Sequence, residues 1–180
     1  MARRRPYGHG PSAAKADPER QQRLRSARLI YEPMIRGKLV HQAVQQTAVG
    51  GDWSFPAIRM VVAELQPTGL PPIYAMSLSS LLLTTVGSYR NNFWRNGWKL
   101  VGYELQAGHL FLDLLWRTPE GLVADELKVG EGYKNGIPAD DWNQVKEQRR
   151  QGTRTWGAEF LGVRLLPLLA PDMQRWVPAR

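Results

Sequence analysis

Residues 110–128 read Leu110-Phe111-Leu112-Asp113-Leu114-Leu115-Trp116-Arg117-Thr118-Pro119-Glu120-Gly121-Leu122-Val123-Ala124-Asp125-Glu126-Leu127-Lys128. Two apolar runs flank Thr118-Pro119-Glu120-Gly121, a cluster with turn chemistry, so the stretch predicts antiparallel strands over Leu110 to Arg117 and Leu122 to Lys128. Asp113 has apolar neighbours on both faces of its strand. A carboxylate buried there must be paired, protonated or bound to a cation, because leaving it bare is strongly unfavourable. Glu126 and Lys128 lie two apart and project from one face. A symmetric turn centred between Pro119 and Glu120 sets Asp113 directly opposite Glu126. Their Cβ atoms would then be about 4.5–5.5 Å apart, where two carboxylates repel unless a cation sits between them.

Working outward, Trp98 to Gln106 predicts a third strand, paired with Leu110 to Arg117 through a turn at Ala107-Gly108. That turn places Gly102 opposite Asp113 and Glu104 opposite Phe111, so Glu104, Asp113, Glu126 and Lys128 share a face unless a bulge intervenes. Upstream, Ser77 is the expected N-cap of a helix through Leu81, Leu82, Val86, Tyr89 and Phe93, stopping near Asn96-Gly97. Downstream, a loop with Gly130, Gly132 and Gly136 leads to a helix opened by Asp140 and Asp141. A nearly all-apolar strand follows over Phe160 to Leu168. The expected fold class is α/β: a helix, a three-stranded antiparallel meander, a helix and a strand over about residues 77–168. Before this core, a helix from about Ala27 to Val49, interrupted at Pro33, ends at Gly50-Gly51, and a second spans Phe55 to Leu65 with Pro56 in its first turn. Gly37 and His41 lie four apart, hence on one face of the first helix.

The 180 residues are enough for one domain, and 43% hydrophobic content with seven Trp, six Tyr and four Phe supports a packed core. The formal charge is +8, which favours a polyanionic partner such as nucleic acid, or an acidic membrane surface. It is unevenly placed: residues 1–28 carry eight Arg and Lys against Asp17 and Glu19, and the rest of the chain is nearly balanced. A flexible basic arm is expected over 1–26 and a single domain over 27–180. The absence of Cys excludes a disulfide framework, a thiol nucleophile and Cys-ligated zinc or iron–sulfur sites. No apolar run approaches the roughly 18 residues of a membrane span, and the opening Met1-Ala2-Arg3-Arg4-Arg5-Pro6 is not a secretory signal, so a soluble, cytoplasmic protein is expected.

Carboxylates at this separation suit Mg²⁺ or Mn²⁺, hard cations that take oxygen ligands and keep waters for substrate phosphate to replace. A lysine beside them can orient a water and offset charge developing on phosphorus. Asp113 with the triplet Glu126-Leu127-Lys128, on the second and third strands of this element order, resembles the PD-(D/E)XK nucleases. Gly37-Lys38-Leu39-Val40-His41 is similar to the Gly-x-x-x-His element of that superfamily's RecB-type branch, and Gln144 falls where the branch has a glutamine. The chain departs from the pattern at Leu112, in place of the nominal proline, and at Gln148, where a tyrosine is expected; the iron–sulfur members are excluded.

The resemblance implies a restriction-endonuclease-like core and a Mg²⁺-dependent deoxyribonuclease, exo- or endonucleolytic, in recombination, repair or phage DNA processing. It implies metal binding by Asp113, Glu126, the Leu127 carbonyl and His41. Lys128 would act on the water, and Gln144 would orient Lys128 or the substrate. Glu104 is a further candidate ligand or an edge solubiliser. Arg149, Arg150 and Arg154 either contact the DNA backbone or complement the helix dipole. Trp94 or Trp98 would stack on a base if exposed. The competing expectations are a non-catalytic DNA-binding or scaffold module of the same fold and an antibacterial nuclease toxin.

Overall fold

A computed structural model describes residues 33–179. The expected basic arm over 1–26 lies outside them. Among the described residues the protein is α/β, with four helices and one five-stranded mixed sheet: α1 (Pro33–Gly50), α2 (Phe55–Glu64), α3 (Pro72–Ser88), β1 (Lys99–Ala107), β2 (Leu110–Arg117), β3 (Leu122–Lys128), α4 (Ala139–Trp156), β4 (Phe160–Pro167) and β5 (Arg175–Pro178). The sheet order is β1-β2-β3-β4-β5. β1, β2 and β3 form an antiparallel meander, α4 crosses over so that β4 runs parallel to β3, and β5 returns antiparallel to β4.

The helices end where the chain chemistry dictates. Gly51, at φ 69°, follows α1 as a glycine in the left-handed region commonly does. Ser54 caps α2, its Oγ accepting from Ala57 N–H, and Pro56 occupies the first turn, where a missing N–H costs nothing. Ser77 does not cap α3. The helix starts well before it, at Pro72, and the Ser77 hydroxyl instead donates to Ile73 O at 3.0 Å inside it. α3 then widens into one π turn, Tyr89–Phe93, with Trp94 N–H bonded to Tyr89 O.

Strand alternation divides the core into two layers. Leu114, Trp116, Leu127 and Leu166 pack with Val40 and Val44 of α1, Ile58 and Val62 of α2, and Leu78, Leu82 and Val86 of α3. Leu115, Ala124, Val163 and Leu165 pack with Val145 of α4. Each fully buried leucine contributes about 1.5–3 kcal/mol.

The β2–β3 hairpin has the expected frame, running from Arg117↔Leu122 to Leu114↔Asp125 across the turn Thr118–Gly121. Thr118 N–H donates to Gly121 O at 2.8 Å, and its Oγ1 accepts from Glu120 and Gly121 N–H. The β1–β2 hairpin departs from expectation. Its two-residue turn is Gly108-His109, so Ala107 faces Leu110 and Gln106, not Glu104, faces Phe111. Gly108 takes the positive φ (63°) at the first turn position, where glycine is favoured. A bulge between Leu100 and Gly102 shifts the register again.

One buried ion cluster ties the sheet to the π turn. Asp125 is fully buried and accepts from Tyr89 Oη (2.5 Å), Trp116 Nε1 (3.0 Å) and Arg164 Nε (2.6 Å) and Nη2 (2.7 Å). Arg164 also donates to Phe93 O and lies over the Trp98 ring at 4.5 Å.

Candidate active site

Beyond Leu114↔Asp125 the β2–β3 ladder stops, and a side chain replaces the backbone: Asp113 Oδ2 accepts Leu127 N–H at 2.7 Å. The notch that opens there is reached from both layers. From α1, His41 Nδ1 lies 3.3 Å from Asp113 Oδ1. From α4, Gln144 and Gln148 reach Glu126, with Gln144 Nε2 donating to Oε1 at 2.8 Å and Gln148 Nε2 to Oε2 at 2.6 Å. Lys128, at the end of β3, places Nζ 2.9 Å from Glu126 Oε1, 3.0 Å from Asp141 Oδ1 and 2.9 Å from Gln144 Oε1. Tyr133 donates its hydroxyl to the other Asp141 oxygen.

Partial burial makes these charges interdependent. Burial and the neighbouring Asp113 charge raise the Glu126 pKa, outweighing Lys128 and the Gln148 hydrogen bond. Burial opposes the Lys128 ammonium, but the Glu126 charge and the hydrogen bonds to Glu126 and Asp141 outweigh it and raise its pKa. Lys128 is therefore a cation at neutral pH, suited to orienting a water or holding an anion rather than accepting a proton. Burial likewise opposes the His41 imidazolium, and the hydrogen bond and charge of Asp113 outweigh it. A cleft of about 380 Å³ opens beside this group, lined by Arg36, Gly37, His41, Lys128 and Gly130 among others.

The donors are carboxylate oxygens and an imidazole, which suit a hard divalent cation in kind. As arranged, both Glu126 oxygens are engaged by Gln144, Gln148 and Lys128. Among the described residues no three His, Asp or Glu side chains form a group that could already hold a metal ion.

Asp113, Glu126, Leu127, Lys128, His41 and Gln144 are thus brought together. Glu104 is not among them. Its backbone is left-handed (φ 47°), it is exposed, and it lines a separate cleft with Gln42, Gln45 and Glu64. Arg150 is exposed and held by Glu147, with Nη2 2.5 Å from Oε1, and Arg154 is exposed at the end of α4. Arg149 is partly buried, and its Nε has no hydrogen-bond partner among the described residues. Trp94 and Trp98 are partly buried in aromatic clusters, at 5.7 Å from Trp53 and 6.5 Å from Trp116 respectively.

Sequence reasoning missed three members of the network: Tyr133, which lies in the glycine-containing loop and carried no pattern, Asp141 and Gln148. Asp141 read only as a helix-opening residue, although it stands three positions before Gln144 and so shares its face. Gln148 read only as a departure from a pattern, yet it is fully buried and also donates to Phe111 O at 2.9 Å. Its spacing of four from Gln144 was the available signal. Comparison with known proteins finds no matching family model, no matching curated protein and no matching solved structure.

Proposed function

We propose that the protein is a metal-dependent nuclease that hydrolyses DNA phosphodiester bonds. The observation that carries this reading is the position of Lys128, held by Glu126, Asp141 and Gln144 beside the Asp113–His41 pair, in the lining of a cleft. The order of helix, antiparallel meander, helix and parallel strand supports a restriction-endonuclease-like core. Asp113, Glu126, His41 and the Leu127 carbonyl would hold Mg²⁺ or Mn²⁺. When bound, such an ion supplies Lewis-acid stabilisation of the departing oxygen and a more acidic water. Lys128 orients the attacking water and offsets negative charge on the phosphoryl oxygens. Gln144 fixes Lys128 and Glu126 relative to one another, and Gln148 anchors Glu126 to β2.

A non-catalytic DNA-binding module is the second reading, favoured by the full engagement of both Glu126 oxygens. Incubation with linear, closed-circular and single-stranded DNA, with Mg²⁺, Mn²⁺ or a chelator, separates the two. The nuclease cuts only with metal, and Lys128→Met lowers its rate by about 10²-fold or more while leaving DNA binding in place. Binding without cleavage of any substrate supports the module, and full activity in Glu126→Ala sinks the assignment of the site.

A further inference from the structure

α1 lines two clefts in succession. Arg36, Gly37 and His41 face the cleft beside Lys128, and Gln42, Gln45 and Gln46 face a second cleft of about 400 Å³. The second is closed by Glu64 from α2 and by Tyr103 and Glu104 from β1. Its character is unlike the first: three carboxamides, two carboxylates, one aromatic ring and the valines Val49 and Val61, with no cationic side chain in its lining. Gln45 is 4% exposed, yet its Nε2 has no hydrogen-bond partner among the described residues. A buried amide left unpaired costs about 1–3 kcal/mol, and Gln45 is one of the residues that line this cleft. Tyr103 is 47% exposed and offers a ring for stacking.

The cleft also adjoins the candidate active site. Tyr103 pairs with Leu114 and Leu105 with Leu112, so Glu104 occupies the β1 position between them, across from Asp113. On α1, Gln45 is one turn beyond His41 and on the same face.

We propose that this second cleft is a base subsite, taking an unstacked nucleobase of a strand whose phosphate lies at the Asp113–Lys128 site; the inference rests on the nuclease reading. Carboxylates repel phosphate, which argues against a backbone subsite, but they accept from exocyclic amino groups, and a carboxamide both donates and accepts along a base edge. Tyr103 stacks on the base face, as aromatic side chains do in single-strand recognition. Adenine, cytosine and guanine carry the amino group that Glu104 or Glu64 accepts from, and thymine does not. The subsite therefore selects amino-bearing bases.

The test uses the full chain with fluorescently labelled twelve-residue oligo(dC) and oligo(dT), with binding read by anisotropy in chelator and cleavage read separately in Mg²⁺. Wild type is expected to bind oligo(dC) about tenfold or more tightly than oligo(dT), the ratio that 1.4 kcal/mol of discrimination gives. Glu104→Gln should bring the ratio towards one, and Gln45→Met and Tyr103→Ala should weaken both oligonucleotides together. Glu104 and Tyr103 are exposed, so their variants carry the test even if Gln45→Met fails to fold. Equal affinity for the two oligonucleotides, or a ratio that Glu104→Gln leaves unchanged, overturns the subsite while cleavage in Mg²⁺ leaves the nuclease reading standing. Neither binding nor cleavage of any DNA overturns both.

Discussion

Gln148 shows how one side chain can join fold and site. It is fully buried, and its amide bridges Phe111 O on β2 and Glu126 on β3. Gln148→Ala should therefore destabilise the protein by about 1–3 kcal/mol, since it takes this donor from a buried carboxylate oxygen of Glu126 and from the Phe111 carbonyl. On the proposed nuclease reading it should also raise the metal concentration needed for cleavage by about 10–100-fold, the usual effect of freeing a ligand from its support. Urea denaturation and a Mg²⁺ titration measure the two, and an unchanged titration would separate Gln148 from the site. Tyr89 supports a different prediction. Burial and the adjacent Asp125 charge hold its phenol well above the ordinary value. Unfolded tyrosine ionises near about pH 10, whereas Tyr89 in the fold keeps its proton, so its stabilisation is full below that pH and is lost as pH rises towards the folded value. Tyr89→Phe should lose about 1.5–3 kcal/mol at neutral pH, as the hydrogen bond to a carboxylate goes, and should show a flatter decline in stability above about pH 10. Parallel decline in the two proteins, followed by urea denaturation at stepped pH, would contradict this.

At the scale of elements, β2, β3 and β4 were legible because short apolar runs between turn residues admit few other readings. The β1–β2 register was not. Ala107-Gly108 and Gly108-His109 are both plausible two-residue turns, and the choice falls to where the chain places Gly108's positive φ. The four-residue β5 carries too little pattern to announce itself, and it is held by pairing with β4. Asp125 was overlooked because its partner, Arg164, is adjacent only once β3 and β4 are known to pair in parallel, where the two residues stand in register. The site's carboxylates and Lys128 were readable from spacing along two strands, whereas Asp141 and Gln148 required the docking angle of α4. That docking depends on close approach: a Cβ on Gly152 would press into the Phe160 ring. Gly152→Ala should cost about 1–3 kcal/mol through overpacking, against the small gain alanine brings to a helix. A thermal melt that rises instead would show that Phe160 can move aside.

Over the whole molecule, the charge of +8 resolves into a basic N-terminal stretch and a nearly balanced remainder, three of whose carboxylates, Asp113, Glu126 and Asp141, meet at the notch. If residues 1–26 bind phosphate, their deletion should flatten the dependence of log DNA affinity on log salt, by about 0.9 for each phosphate of duplex DNA that they neutralise. The cleavage rate at saturating DNA should stay unchanged. An unaltered salt slope would assign the stretch no part in binding. The two borders of the sheet have a consequence of another kind. β1 carries a bulge after Leu100 and a left-handed kink at Glu104, and β5 is four residues long and closes on Pro178. Neither border offers a long, flat row of free amides and carbonyls to a neighbouring chain. Edge-to-edge polymerisation, the common hazard of an open sheet, is thereby obstructed at both ends by backbone geometry.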